Sequence, residues 1–265
     1  MRATKTIAPP SLPLAGATLV LTRPAGTART LAAQARARGA TVVLLPGLSL
    51  RRHDTPELRA RLHAMRCDDW IFTSPAAVDA CCALDWQAPA AARVFTVGTG
   101  TRRVLARHGV AALAPASGAD SEALLAMPQL ARLRGRRIAL VGAPGGRNLI
   151  APQLAARGAR VEPLHVYARQ APRLSRRHFA ALAAAPEPWL SLLSSGEALE
   201  HLCALLPAAL AARWRAQPLI VASERLAAQA RQRGFGQIVV AASAVGGDML
   251  AAAAHWLADR PQARR

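Results

Sequence analysis

Short apolar runs alternate along this chain with longer stretches in which apolar positions recur three and four residues apart, the period of a helix with one buried face. The runs 17–22 (ATLVLT), 41–45 (TVVLL), 69–73 (DWIFT), 93–97 (RVFTV), 136–141 (RRIALV), 160–166, 189–193 (WLSLL), 217–221 (QPLIV) and 237–241 (QIVVA) read as strands. Several are apolar at successive positions, the pattern of strands covered on both faces. Between them the spacing predicts helices at 27–38, with Thr27 as N-cap and Gly39 just past the end, at 148–157, and at 224–233, closed by Gly234. Pro152 falls inside 148–157, where near the first turn it is expected to cost about one backbone hydrogen bond. Strands alternating with helices in this way describe an α/β protein with parallel sheets.

The pattern also repeats. LVLTRPAGTARTLAAQARARGATV at 19–42 aligns with IALVGAPGGRNLIAPQLAARGARV at 138–161, placing Gly26 on Gly145 and Gly39 on Gly158. FTSPAAV at 72–78 then matches LSSGEAL at 193–199, Val97-Gly98 matches Val221-Ala222, and SGADSEALL at 117–125 matches SAVGGDML at 243–250. Blocks that keep their order while the offset drifts by small insertions imply two related α/β halves of about 120 residues, cut near 135. A cleft between two such halves is the default place for a ligand.

Composition narrows the function. A 265-residue chain that is 52% hydrophobic, with mean hydropathy +0.16, is large enough for one sizeable domain or two small ones and too apolar to stay disordered. Its 34 basic against 15 acidic side chains give a formal charge of +19, which raises nucleic acid as a partner. Yet Lys5 is the only lysine, and the arginines come as ones and twos (Arg51-Arg52, Arg102-Arg103, Arg136-Arg137, Arg176-Arg177), never as a basic arm. An anionic small molecule fits that distribution better than nucleic acid. Four cysteines without paired two-residue spacing spell neither a zinc site nor a redox motif and read as buried free thiols of a reducing compartment. No apolar run reaches the ~18 residues of a membrane span. The first sixteen residues carry Arg2, Lys5 and three prolines but no apolar core of a signal peptide. The expectation is a cytoplasmic monomer with no membrane contact.

Several chemistries are missing. There is no phosphate-binding P-loop, and Gly98-Thr99-Gly100-Thr101-Arg102-Arg103 lacks the third glycine of a dinucleotide fingerprint. No Gly-x-Ser-x-Gly elbow occurs, and none of the seven histidines pairs at metal-binding spacing, so structural or solvated roles are read for them. Asp68-Asp69 precedes a strand and reads as a surface pair. What stands out is hydroxyl chemistry. Thr73-Ser74, Thr99-Gly100-Thr101, Ser194-Ser195 and Ser223 all fall where a predicted strand hands over to a helix, the edge at which open α/β sheets bind ligands. Such hydroxyls cap helices, or join the free helix N–H groups in holding carboxylates. Their recurrence in both halves favours a shared anionic ligand. Gly142-Ala143-Pro144-Gly145-Gly146-Arg147 is either a tight turn or an anion cradle. Tyr167, the only tyrosine, is either an edge-strand aromatic packing a linker or a phenol that donates a proton or a hydrogen bond while uncharged.

Taken in succession, Thr22-Arg23-Pro24, Phe72-Thr73-Ser74-Pro75-Ala76-Ala77-Val78, Val97-Gly98 with Thr101, Gly145-Gly146-Arg147, Val166-Tyr167-Ala168-Arg169, Ser194-Ser195 and Val221-Ala222-Ser223-Glu224-Arg225 resemble the uroporphyrinogen-III synthase family over about 14–258. The resemblance implies two Rossmann-like, flavodoxin-like lobes joined by a two-stranded linker, with crossings near 46–52 and 164–171 in place of a cut near 135. Lobe one is then 17–48 with 170–258, lobe two 49–169, and the ends 1–16 and 259–265 are flexible extensions. The implied substrate is hydroxymethylbilane, a linear tetrapyrrole with eight carboxylates, closed with loss of water and inversion of ring D; neither cofactor nor metal is implied. Tyr167 becomes the candidate acid. Thr73, Ser74, Thr101, Ser194 and Ser223 become ligand-facing donors, Gly98, Ser195 and Arg225 complete the substrate-binding set, and Arg23 and Arg147 become carboxylate partners. Departures are Ala76 where some members carry Arg, Ser194 for the commoner Thr, and Arg225 where Thr is frequent. The competing readings are a non-catalytic two-lobed protein that binds an anion and a nucleic-acid-binding module; transient contact with a neighbouring tetrapyrrole-pathway enzyme is a further expectation.

Overall fold

The computed structural model describes residues 12–118, 120–145 and 149–260. The chain forms two compact units: one holds the chain up to Ser49 and again from Gln170, the other Leu50–Arg169. Residue 135, where the repeat halves meet, lies inside the second unit, so repeat halves and structural units do not coincide.

The chain opens with β1 (Thr18–Leu21), α1 (Arg29–Ala37), β2 (Thr41–Leu44) and β3 (Ser49–Arg52). The second unit continues with α2 (Pro56–Ala64), β4 (Asp69–Phe72), α3 (Pro75–Cys82), β5 (Arg93–Thr96), α4 (Thr99–Arg107), α5 (Ser121–Leu125), β6 (Arg137–Gly142), α6 (Ile150–Ala156) and β7 (Arg160–His165). After β8 (Tyr167–Gln170), which pairs with β3 in a two-stranded sheet, come α7 (Arg176–Ala184), β9 (Trp189–Leu193), α8 (Gly196–Leu205), α9 (Ala208–Arg215), β10 (Leu219–Val221), α10 (Glu224–Gln232), β11 (Ile238–Val240) and α11 (Gly246–Asp259).

Both larger sheets are parallel. Strand order is β11-β10-β9-β1-β2 in the first unit and β5-β4-β6-β7 in the second. The repeat is visible in that topology: β6, β7, β4 and β5 occupy the places of β1, β2, β9 and β10, and an isolated parallel bridge of Phe95 to Leu113 lies beside β5 where β11 lies beside β10. The inner strands β1, β4, β9 and β10 are buried at every position, which is why their sequences are apolar without alternation. Successive residues feed opposite layers: Leu19 and Leu21 pack with Leu190, Leu192 and Ile220, whereas Val20 packs with Trp189, Leu193 and Trp214. In the second unit Trp70 and Phe72 join Ala139 and Val141 on one side, while Ile71 joins Phe95 and Ile138 on the other. Each such large apolar side chain stabilises the fold by roughly 1.5–3 kcal/mol.

Three local expectations change. Helix α1 starts at Arg29 with Ala28 at the N-cap, and the Thr27 hydroxyl instead donates to the Pro24 carbonyl at 2.7 Å, closing the preceding turn. Pro152 lies in the first turn of α6, where a backbone N–H has no intrahelical acceptor in any case, so it costs the helix no hydrogen bond. Asp69 is not a surface residue. It is completely buried at the start of β4, where Arg93 donates through Nε and Nη2 at 2.6 and 2.8 Å and Arg136 does the same at 2.7 and 2.8 Å. The two guanidinium forks tie the starts of β4 and β5 to the residue before β6. Asp68, by contrast, is exposed and accepts from the Arg137 backbone N–H at 2.7 Å.

Burial pushes the Asp69 carboxyl up, but hydrogen bonds and charge from Arg93 and Arg136 outweigh it and hold the pKa below the ordinary carboxylate value. With the folded value depressed, the stabilisation is complete above the unfolded-chain value near ~3.9 and is lost as pH falls through the folded value. Asp69→Ala leaves two partly buried guanidinium groups unpaired and is expected to cost roughly 3–5 kcal/mol. Urea unfolding at neutral pH measures the loss, and a wild-type-like midpoint would show the triad to be energetically idle.

Candidate functional site

In a parallel strand–helix repeat every helix that follows a strand starts at the carboxyl edge of the sheet, so free backbone N–H groups and capping hydroxyls gather there. In the second unit β4 ends at Phe72, and the next two residues turn the chain into α3. Thr73 donates its hydroxyl to the Val141 carbonyl of β6 at 3.2 Å, and Ser74 accepts the Ala77 N–H at 3.1 Å as the N-cap, with Pro75 at the first helical position. Gly142, ending β6, is packed so tightly that a Cβ there would lie 2.5 Å from the Thr73 hydroxyl oxygen.

Tyr167 comes from the other side of this edge. The chain leaves β7 at His165, and the Val166 N–H donates to the Gly142 carbonyl at 3.0 Å while its carbonyl accepts the His53 N–H at 2.9 Å. The turn sends the next side chain inward: Tyr167 is buried in the Trp70/Phe72 layer, and its hydroxyl lies 3.0 Å from the Ser74 hydroxyl. Ser74 has spent a lone pair on Ala77 and keeps its own proton. Ser74 can thus meet Tyr167 as the donor, which leaves the phenolic proton for a second partner.

That second partner has room. A cavity of about 540 Å³ is bounded by Thr73, Ser74 and Tyr167, by the turn Gly142–Gly145, and by His165 and Arg169. Gly145 has φ +76°, a left-handed conformation that favours glycine, and the Arg169 guanidinium holds this turn through the Pro144 carbonyl at 3.1 Å. His165 and Arg169 are not among the site residues that the sequence motifs nominate; the signals for them are the position of His165 at a strand's carboxyl end and of Arg169 two residues beyond Tyr167. The same unit holds another cavity, of about 590 Å³, lined by Cys82, Trp86 and His108. It sits where α3 and α4 end and β5 begins, the opposite end of the sheet, and gathers no comparable set of donors.

Of the remaining candidates, Gly98 is the N-cap of α4, without a side chain to contribute, and Thr101 is buried in the first turn of that helix. Neither lines the Tyr167 cavity. Arg147 lies outside the described residues. The others belong to the first unit, at the carboxyl ends of three adjacent strands. Arg23 follows β1 and donates to the Ala244 carbonyl at 2.9 Å; burial lowers its pKa from the usual arginine value. Ser194 is exposed after β9, and Ser195 caps α8 by accepting the Ala198 N–H at 3.4 Å. Ser223 caps α10 at 3.3 Å from the Leu226 nitrogen, and Arg225 is exposed in that helix's first turn. The capping role weighed for these serines is therefore present at Ser74, Ser195 and Ser223, and only Ser74 adds a bond to a second functional side chain.

Among the described residues no group of His, Cys, Asp and Glu could hold a metal ion. Cys67 and Cys81 are buried and Cys82 and Cys203 half-buried; burial raises all four thiols, Cys67 to about 11, which leaves them protonated and poor nucleophiles near neutral pH. Three of the seven histidines are tied to backbone carbonyls, His201 to Gly47 at 2.9 Å, His63 to Leu84 at 3.1 Å and His53 to His165 at 3.1 Å, and His178 is held by Ser175. The group of this site best placed to move a proton is the phenol.

Comparison with known proteins agrees on one family. Residues 29–251 match the family model described as uroporphyrinogen-III synthase HemD. The uroporphyrinogen-III synthases of Salmonella typhimurium and Escherichia coli are 30% and 31% identical over 236 residues, spanning 85% of this chain and 95% of theirs. Among solved structures, a uroporphyrinogen-III synthetase from Helicobacter pylori superposes with TM-score 0.60 at 11% identity, covering 91% of this chain and 99% of that one. A mutant uroporphyrinogen III synthase from Thermus thermophilus does so with TM-score 0.58 at 21% identity, covering 92% and 100%. At these identities the superpositions speak for the fold.

A double-mutant cycle tests the hydroxyl pair. Ser74→Ala should cost about 1 kcal/mol for the lost cap, and its coupling to Tyr167→Phe should be about 0.5–1.5 kcal/mol. Ser195→Ala, which removes a cap of the same kind, should show no coupling to Tyr167→Phe. Equal coupling for the two serines in thermal unfolding would mean that Ser74 and Tyr167 do not interact.

Proposed function

The chain belongs to the uroporphyrinogen-III synthase family, and from that premise we propose that it closes hydroxymethylbilane to uroporphyrinogen III, a lyase step of haem biosynthesis. The observation that carries the reading to particular residues is the Tyr167 hydroxyl, held 3.0 Å from Ser74 at a cavity on the carboxyl edge of a parallel sheet.

The chemistry asks for little more. As the hydroxymethyl C–O bond breaks, its electron pair leaves on oxygen, and the Tyr167 O–H supplies the proton that makes the leaving group water. The pyrrole nitrogen supplies the electrons that replace the lost bond. Ser74, donating to the phenol oxygen, stabilises the negative charge that builds there as the proton departs. Carbon–carbon bond formation through a spiro intermediate then inverts ring D, and the proton released when the macrocycle regains its aromatic rings restores the phenol. Protons and electrons balance, with water the only co-product.

The bilane also closes unaided, to the uninverted type I isomer, so the protein's main task is to hold the chain in the pose that leads to inversion. Positioning of this kind contributes several kcal/mol to an intramolecular step. Eight carboxylates give such a substrate its handles. In the second unit, the Arg169 guanidinium and the turn that it holds lie beside the acid, and Thr73 and His165 add hydroxyl and imidazole groups. The net charge of +19 draws a polyanion toward the protein. The reading keeps the chain a cytoplasmic monomer, on the sequence grounds given above; no helix among the described residues is long and apolar enough to cross a membrane.

Incubation with hydroxymethylbilane and separation of the product isomers tests the function: type III is expected, and type I alone would refute it. For the acid, Tyr167→Phe is expected to lower turnover about 100-fold while product affinity changes little. Undiminished turnover in that variant would remove Tyr167 from the role.

A further inference from the structure

The first unit carries a groove of about 370 Å³ between the residues that follow β1, one face of α1 and the end of β2. Its walls are basic. Arg29 and Arg36 stand seven residues apart on α1 with Ala32 between them, the spacing of a single helical face, and Arg23 closes the end nearest β1. Ala32 matters because a larger residue there would fill the space between the two arginines. The floor is apolar, with Leu21 buried beneath it, and Leu44, 48% exposed, forms part of the rim.

Among the described residues no aspartate or glutamate lines this groove. Elsewhere several carboxylates are matched to arginines: Asp54 and Asp85 to Arg59, Asp69 to Arg93 and Arg136, Glu162 to Arg137, Glu187 to Arg213, Glu200 to Arg233. Among the described residues neither Arg29 nor Arg36 has such a partner, and Arg23 engages one N–H, on the Ala244 carbonyl. His178 adds a ring N–H donor. Its Nδ1 accepts the Ser175 backbone N–H at 3.0 Å, so in the neutral ring the proton resides on Nε2.

We propose that this groove binds carboxylate arms of the tetrapyrrole, with Arg29 and Arg36 as the charged partners and Leu21, Ala32 and Leu44 receiving apolar parts of the same ligand. The inference rests on the function proposed above. Seven residues of helix separate the two arginine Cα atoms by about 10 Å along the axis, which suits one molecule with several separated anionic arms better than a single compact anion. Rings and methylene groups between such arms match the apolar floor, where an inorganic anion gains nothing.

Quenching of tryptophan fluorescence by uroporphyrin III, the stable oxidised octacarboxylic macrocycle, reads the binding directly. Two exposed charge pairs, each worth a few-fold in affinity, should make Kd rise about tenfold in Arg29→Gln/Arg36→Gln, with KM for hydroxymethylbilane rising alike and kcat moving little. Arg29→Lys/Arg36→Lys, which keeps both charges, should recover most of the loss, and thermal unfolding of the Gln variant checks that it is folded. Unchanged Kd and KM in the folded Gln variant would overturn the inference, as would displacement of the macrocycle by inorganic phosphate at equal concentration and ionic strength. A wild-type protein that yields only type I product, yet binds the macrocycle through Arg29 and Arg36, would refute the proposed function and leave the groove standing.

Discussion

The Ser74 hydroxyl serves two elements at once. It terminates α3 by accepting the Ala77 N–H, and it meets the hydroxyl of the chain's only tyrosine. Capping fixes its oxygen relative to β4, because Thr73, the residue before, is anchored to β6 by both its backbone N–H and its hydroxyl on the Val141 carbonyl. Tyr167 is fixed independently, its ring in the layer of Trp70, Phe72 and Val141 and its backbone at the start of β8.

The geometry follows from the parallel sheet. Parallel strands need crossover connections, here mostly helical, so successive helix starts collect along one edge. The second unit carries at that edge the Ser74–Tyr167 hydroxyl pair and the turn held by Arg169. In the first unit the corresponding edge carries Ser195 after β9 and Ser223 after β10 as simple caps, and Arg23 after β1. The two sheets share a strand order for four strands, so their difference lies in the side chains placed at equivalent turns. Ser195 occupies the place of Ser74 in the repeat, but no tyrosine hydroxyl meets it: one scaffold, written twice, has been furnished for different tasks.

Much of this was legible in the sequence because burial on both faces leaves a direct trace. The nine apolar runs are nine strands, with ends displaced by a residue or two. The pattern did not mark β3 and β8, whose sequences SLRR and YARQ are largely polar; they form a sheet of only two strands, which buries too little to impose a pattern. The burial of Asp69 leaves no trace in the sequence for a different reason. Its partners lie 24 and 67 residues away, and an aspartate ahead of a strand looks like loop chemistry until the sheet places Arg93 and Arg136 against it. The Ser74–Tyr167 bond spans 93 residues, so sequence could nominate both hydroxyls but not join them. The division of the chain into units was likewise invisible to the repeat, since each unit takes one strand–helix–strand segment from a different repeat half.

Charge resolves in the same way. An excess of +19 is a property of the whole chain, but it acts locally, according to which arginines have a carboxylate partner. Asp69 ties two arginines into the fold, and its single negative charge offsets one of their two positive charges there. Arg29 and Arg36 lie on an exposed helix face above an apolar floor, with the half-buried Arg23 at its end. Like charges held near one another without a counterion raise the energy of the unliganded protein, modestly at an exposed face because water screens them. A ligand that brings separated carboxylates relieves that repulsion while its rings cover the apolar surface, so the same contacts act through charge and burial together. In the second unit the Tyr167 side chain carries no permanent charge, so it can stand in the apolar layer that an ion could not occupy without a partner. Fixed charge and an uncharged hydroxyl thus call for different surroundings, and each of the two units supplies one of them.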